Sequence, residues 1–121
     1  MKSEVAANKI LRSIFEGVTI SWGETLRLSL RSSEGEEIGY AGYRRVDTEA
    51  ANDWDVAGRT ATNLNLIRFP KCEQGAAKAT HVGIHGAGGE IIYIAELDGP
   101  MTILEGVQPQ FEPGDIVVTE A

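Results

Sequence analysis

The sequence predicts a mainly β protein: a β-sandwich or jelly roll of about seven or eight strands, with one short N-terminal helix. Three observations predict it. Residues 79–97, ATHVGIHGAGGEIIYIAEL, read as strand, glycine turn and strand. Residues 24–31, ETLRLSLR, alternate cleanly between apolar and polar side chains. Turn signals then recur at short spacing, in SSEGEE, DGP and the stretch GVQPQFEPGD.

The expected helix comes first, over about residues 3–16. Ser3 is positioned to cap it and Glu4 suits the positive end of its dipole. Ala6, Ala7, Ile10, Leu11, Ile14 and Phe15 share one face at three- and four-residue spacing, and Gly17 stops the run. A helix this short needs a surface to pack against. Either it covers an open end of the sandwich or it docks on another subunit.

Strands are expected from about residue 18 to residue 120. In 24–31, Leu26, Leu28 and Leu30 face inward and Arg27, Ser29 and Arg31 outward. Residues 38–46, IGYAGYRRV, read as a second strand in which Gly39 and Gly42 suggest a bulge. Residues 47–62 read as polar and irregular, with Trp54 alone among acids as either a core plug or a contact anchor. NLNLIRF, 63–69, resumes alternation until Pro70. In the long hairpin, Thr80, Val82 and Ile84 alternate with His81, Gly83 and His85; the run Ile91–Ile94 suits a strand buried on both faces or at the centre of a sheet. Asp98-Gly99-Pro100 reads as a turn, 101–104 as a short strand, and 115–119, DIVVT, as the last. With 121 residues and no linker, the chain is expected to be one domain over 1–121.

Composition narrows the function classes. Eighteen acidic against eleven basic residues leave a net charge of −7, and no basic cluster is present to hold nucleic-acid phosphates. The single cysteine, Cys72, excludes an internal disulfide and four-cysteine zinc sites, and suits synthesis in a reducing cytoplasm. No signal-peptide pattern or membrane-spanning apolar run is visible, so no membrane partner is expected.

Candidate chemistry is weighed next. His81 and His85 are the only histidines. Four residues of strand separate them by about 13 Å, too far to share an ion. A cupin-like metal-dependent enzyme, the remote alternative, wants a closer His-x-His and a later histidine. HGAGG, 85–89, has no G-x-S-x-G nucleophile to serve, and a hairpin turn explains its glycines. No catalytic residue, metal ligand or cofactor site is expected, and the protein is read as not an enzyme.

The order of segments carries a resemblance. A short helix NKILRSIF is followed by EGEEIGYAGYRR, NLNLIRFP, THVGIHGAGGEIIYIAEL and FEPGDIVVT. In this order they resemble a family of small virion proteins of tailed bacteriophages, some described as tail fibre proteins. The plan also looks like the jelly-roll cement or decoration proteins of phage heads. The latter resemblance gives the leading expectation: a capsid cement or decoration protein, a homotrimer that binds the major capsid protein on the capsid exterior and stabilises its contacts, with no cofactor. The alternative is a tail-associated fibre or adhesin module that recognises the host surface. The chain has no long repeat from which to build a fibre shaft. Candidate contact residues are Ile10, Ile14 and Phe15 on the helix, Trp22 and Trp54 as apolar anchors, and Arg44 and Arg45 as partners for acidic side chains.

Overall fold

The helix forms where its caps place it. In the computed structural model, which describes residues 2–120, α1 spans Glu4–Glu16. Met1 and Ala121, the two ends of the expected domain, lie outside the described residues. The Ser3 Oγ accepts the Ala6 N–H at 3.0 Å, and Gly17 closes the helix at φ 71°, a left-handed conformation that a side chain would strain.

Nine strands follow among the described residues: β1 (Thr25–Arg31), β2 (Val46–Glu49), β3 (Trp54–Ala57), β4 (Thr60–Asn63), β5 (Ile67–Arg68), β6 (Ala77–His85), β7 (Ile91–Ile103), β8 (Gln110–Phe111) and β9 (Val117–Thr119). They pair as a four-stranded sheet β2-β1-β6-β7, a three-stranded sheet β3-β4-β9 and a two-stranded ribbon β5-β8. Every strand pairing is antiparallel. Leu28, Leu30, Val82, Ile84 and Ala95 of the large sheet join Ile67, Phe69, Phe111, Ile116 and Val118 in one buried cluster. Phe69 lies at its heart, stacked on Tyr43 at 6.3 Å and edge-on to Phe111 at 6.0 Å. The protein is thus a mainly β sandwich with one N-terminal helix.

The glycine-turned hairpin 79–97 is present as β6–β7. Its register sets Leu28 opposite Ile84 and Leu30 opposite Val82, so one apolar face runs across three strands. Several expected boundaries differ. The first strand starts at Thr25, not near residue 18. Residues 38–45 do not form a strand: of the expected 38–46 only Val46, the first residue of β2, lies in one, and Ala41 makes an isolated bridge to Gln74. There the Tyr43 side chain replaces a ladder partner: its hydroxyl accepts the Leu30 N–H at 3.1 Å while its ring packs on Phe69. Residues 47–62, expected to be irregular, hold the β3–β4 hairpin, which turns at Gly58, φ 61°. Residues 63–69 are not one strand, because the Asn63 side chain donates to the Asn65 carbonyl and bends the chain after β4.

β7 also departs from expectation. It is an edge strand, not a central one, and it runs on through Asp98-Gly99-Pro100 to Ile103. The turn signal survives as a bulge: Ala79 pairs with Met101 but His81 with Glu96, so extra residues of β7 loop out. Pro100 is tolerated because an edge strand needs no donor on its open side. The start of that open edge is occupied. The Ser3 N–H donates to the Ile92 carbonyl at 2.7 Å, the Ser3 hydroxyl donates to Ile91 at 2.6 Å, and Lys2 bridges to Tyr93. These bonds shield the edge and plant the foot of α1 on β7.

Candidate functional site

At 100° per residue, the apolar stripe of α1 is about half the helix wide. Only one border of it packs on the sandwich: Ala6 is buried and Ile10 half-buried. The other border points away. Leu11 is 54% exposed, Ile14 67%, Phe15 79% and, just past the cap, Val18 48%. A helix evolved only to close its own domain would carry polar residues there.

Beside the helix lies an apolar groove of about 500 Å³. Leu26, Ile84 and Tyr93 of the large sheet and Val118 of the small one line it, with Ile10 and Trp22 on the helix side and Trp54 and Val56 on the β3 side. The two tryptophans are held in place. The Trp54 Nε1–H donates to the Thr48 Oγ1 at 2.9 Å, and that hydroxyl donates to the Leu26 carbonyl at 2.9 Å. The Trp22 carbonyl accepts the Ala87 N–H at 2.8 Å, which ties its loop to the tip of the β6–β7 hairpin. The Lys9 ammonium sits 4.5 Å from the centre of the Trp22 ring and 3.9 Å from Glu90, joining helix, loop and hairpin. A second hollow, on the other flank of α1, is bordered by Glu4, Asn8, Lys9 and Arg12 and offers a charged rim instead.

The outward face of the large sheet carries a polar cluster. Ser29 and His85 are both buried, with Ser29 Oγ 2.8 Å from His85 Nε2. His85 Nδ1 lies 3.1 Å from the Gly89 carbonyl, which can only accept, so the neutral ring carries its proton on Nδ1 and accepts the Ser29 hydroxyl at Nε2. Arg31 Nη1 donates to Ser29 Oγ at 3.2 Å. The donor order is that of a nucleophile and its base, but Ser29 has no exposed surface at which to meet a substrate. Burial holds the His85 imidazole below its usual range, against the bond to Gly89; Arg45 and Arg31 push the same way and Glu37 opposes them. The unfolded chain therefore binds that proton more tightly. The stabilisation is complete above about pH 6.5 and declines as pH falls below it towards the folded pKa. Urea midpoints are expected to fall between about pH 7.5 and 5.5, and His85→Gln to flatten that slope.

Arg45 makes a two-pronged contact with Glu37, Nη2–Oε1 2.9 Å and Nε–Oε2 3.1 Å, and Tyr43 donates to the same carboxylate at 2.6 Å. The Arg45 bond holds the Glu37 carboxyl below the usual range. Arg45 is thus engaged within its own chain, whereas Arg44 beside it is exposed. Among the described residues no group of three or more His, Cys, Asp or Glu is placed to hold a metal ion.

Of the residues singled out from the sequence, Ile10, Trp22 and Trp54 meet in the groove, whereas Ile14 and Phe15 are exposed on α1 and do not line it. Arg44 and Arg45 lie apart, in the segment leading to β2. Sequence reasoning missed Val56, 73% exposed at the groove rim, and the groove floor. Trp54 and Val56 share one strand face at i and i+2, a signal that the polar neighbours Asp53 and Asp55 obscured.

Fold and surface define a β-sandwich module with an exposed apolar face. A family model for podophage GP4 fiber I protein gp80 matches residues 1–119, nearly the whole chain, and the chain belongs to that family. It is a structural component of a phage virion. Comparison with curated proteins finds no match.

Proposed function

We propose that this chain is a non-catalytic fibre module of the phage virion, tail-associated, that works as a homo-oligomer and contacts its neighbours through apolar surface. The observation that carries the reading is the pairing of a fibre family with an amphipathic helix whose outer apolar border is uncovered. Individually modest contacts suffice in such a particle, because repetition raises their combined strength. The net charge of −7 argues against nucleic acid as a partner, and no helix among the described residues is long and apolar enough to cross a membrane.

A head-cement role, with the major capsid protein as partner on the capsid exterior, is the second reading. It is favoured by the short strands and the lack of any elongated shaft among the described residues. Immunogold labelling and copy counting on purified particles separate the two. Label at the tail with few copies supports the fibre module. Label over the head at copy numbers near those of the capsid protein overturns it in favour of cement. Absence from purified particles overturns both.

A further inference from the structure

α1 is tied to the sandwich at its two ends and hardly at all between them. Of its 13 residues only Ala6 is buried, and residues 14–19, which carry the chain out of the helix, are all exposed. Neither flank is packed. The groove of about 500 Å³ lies on one side. On the other, a hollow of about 730 Å³ lies between Val5, Asn8 and Arg12 of the helix and residues 18–21. A helix seated this way gains little from burial, so the ties at its ends decide where it sits.

The two ties differ in kind. The root is tight. A Cβ on Gly23 would come within 2.4 Å of the Ala87 Cβ, and the Trp22 carbonyl accepts the Ala87 N–H at 2.8 Å. The far end is held by two residues alone. Ser3 gives its N–H to the Ile92 carbonyl and its hydroxyl to the Ile91 carbonyl. Lys2 pairs with the Glu120 carboxylate, to which the Tyr93 hydroxyl also donates. Each hydrogen bond shifts an equilibrium by about 2–12-fold once the competing bonds to water are counted. The ion pair adds less, because both of its partners are partly exposed. The sandwich, by contrast, is closed by Leu28, Leu30, Phe69 and Val82, all fully buried. Releasing the far end of the helix therefore requires much less than unfolding the sheets.

We propose that residues 2–16 form an arm that opens as one unit while the sandwich stays folded, with Lys2 and Ser3 as its latch and residues 17–21 as its hinge. Release bares the Ile91 and Ile92 carbonyls, so the latch is also the cover over the start of the β7 edge. A helix of 13 residues does not persist alone in water, so opening melts α1 and frees its amides together. The device is independent of where in the particle the chain sits.

Native-state hydrogen exchange on the full chain tests it. The amides of residues 8–16 should exchange through one shared opening, at least about 100-fold more frequent than the opening that exposes Val82 and Ile84 in β6. Ser3→Pro removes both the N–H and the hydroxyl without straining the backbone, because Ser3 has φ −72°, inside the range that proline imposes. It should speed exchange over the whole of α1, residues 11–15 included, by about tenfold or more and leave β6 unchanged. Ser3→Ala keeps the N–H to Ile92 and should show a smaller rise. Unchanged β6 protection shows that the sandwich folds in both variants. A rise confined to the first turn would mean that only the helix cap was lost, and would overturn the latch. Exchange of α1 and β6 at one common frequency, in the wild-type chain or in either variant, would overturn the arm, since helix and sandwich would then unfold as one unit.

Discussion

Asn63→Ala is expected to cost about 3–5 kcal/mol, read as a large fall in the urea midpoint with an unchanged slope. Asn63 is 2% exposed and ends β4 with both amide protons and its carbonyl oxygen engaged. Its Nδ2 donates to the carbonyls of Asn65, at 2.9 Å, and Glu112, at 3.0 Å, while its Oδ1 accepts the Ile116 N–H at 2.9 Å. One side chain thus stitches β4 to the loop before β9. Alanine would leave the buried Ile116 N–H and the Asn65 carbonyl without these partners, while the Glu112 carbonyl keeps the Asp115 N–H; the cost is about 1–3 kcal/mol for each group that water cannot reach, and the emptied space adds to it. Asn63→Asp discriminates further. It keeps the shape and the bond from Ile116 but turns a carboxylate oxygen towards two carbonyls. If aspartate is tolerated and alanine is not, the residue acts by filling space and the hydrogen-bond account is wrong.

Gly83→Val is the second large effect, about 3–5 kcal/mol of destabilisation in the same measurement. Strand propensity points the other way, since valine is favoured over glycine in sheets by up to about 1 kcal/mol. Sterics decide. A Cβ at position 83 would sit 2.5 Å from Ser29 Oγ, 2.9 Å from Arg31 Cδ and 3.2 Å from His85 Nε2. The missing side chain is the space in which Ser29, His85 and Arg31 meet. Overpacking costs about 1–3 kcal/mol, and breaking the buried Ser29–His85 pair adds about as much again. Gly83→Ala should show the smaller first part. It should also weaken the pH dependence ascribed to His85, because the same pair is displaced.

Legibility from sequence followed the range of the interactions involved. The helix caps, the alternation in β1 and the glycine turn of the β6–β7 hairpin all act within a few residues, and each was readable. The β3–β4 hairpin was not. Val56 and Ala57 are exposed, so its strands lack the apolar alternation that burial imposes. The segment 38–45 misled for the opposite reason. Its tyrosines look like strand residues, yet Tyr43 turns into the core and closes off β1 with its hydroxyl.

By itself the sequence determined the mainly β class, the N-terminal helix with its over-wide apolar stripe, and the order of segments that marks a phage virion family. These depend on local periodicity and on residue identity. Only the tertiary structure decided which part of that stripe is left uncovered. Planting Ser3 on the edge of β7 turns Ala6 and Ile10 towards the sandwich, and leaves Leu11, Ile14 and Phe15 outside. It also decided that Trp22 and Trp54, 32 positions apart in the chain, line the same groove. Amphipathicity defines a face, but which neighbour covers it depends on contacts between residues distant in the chain.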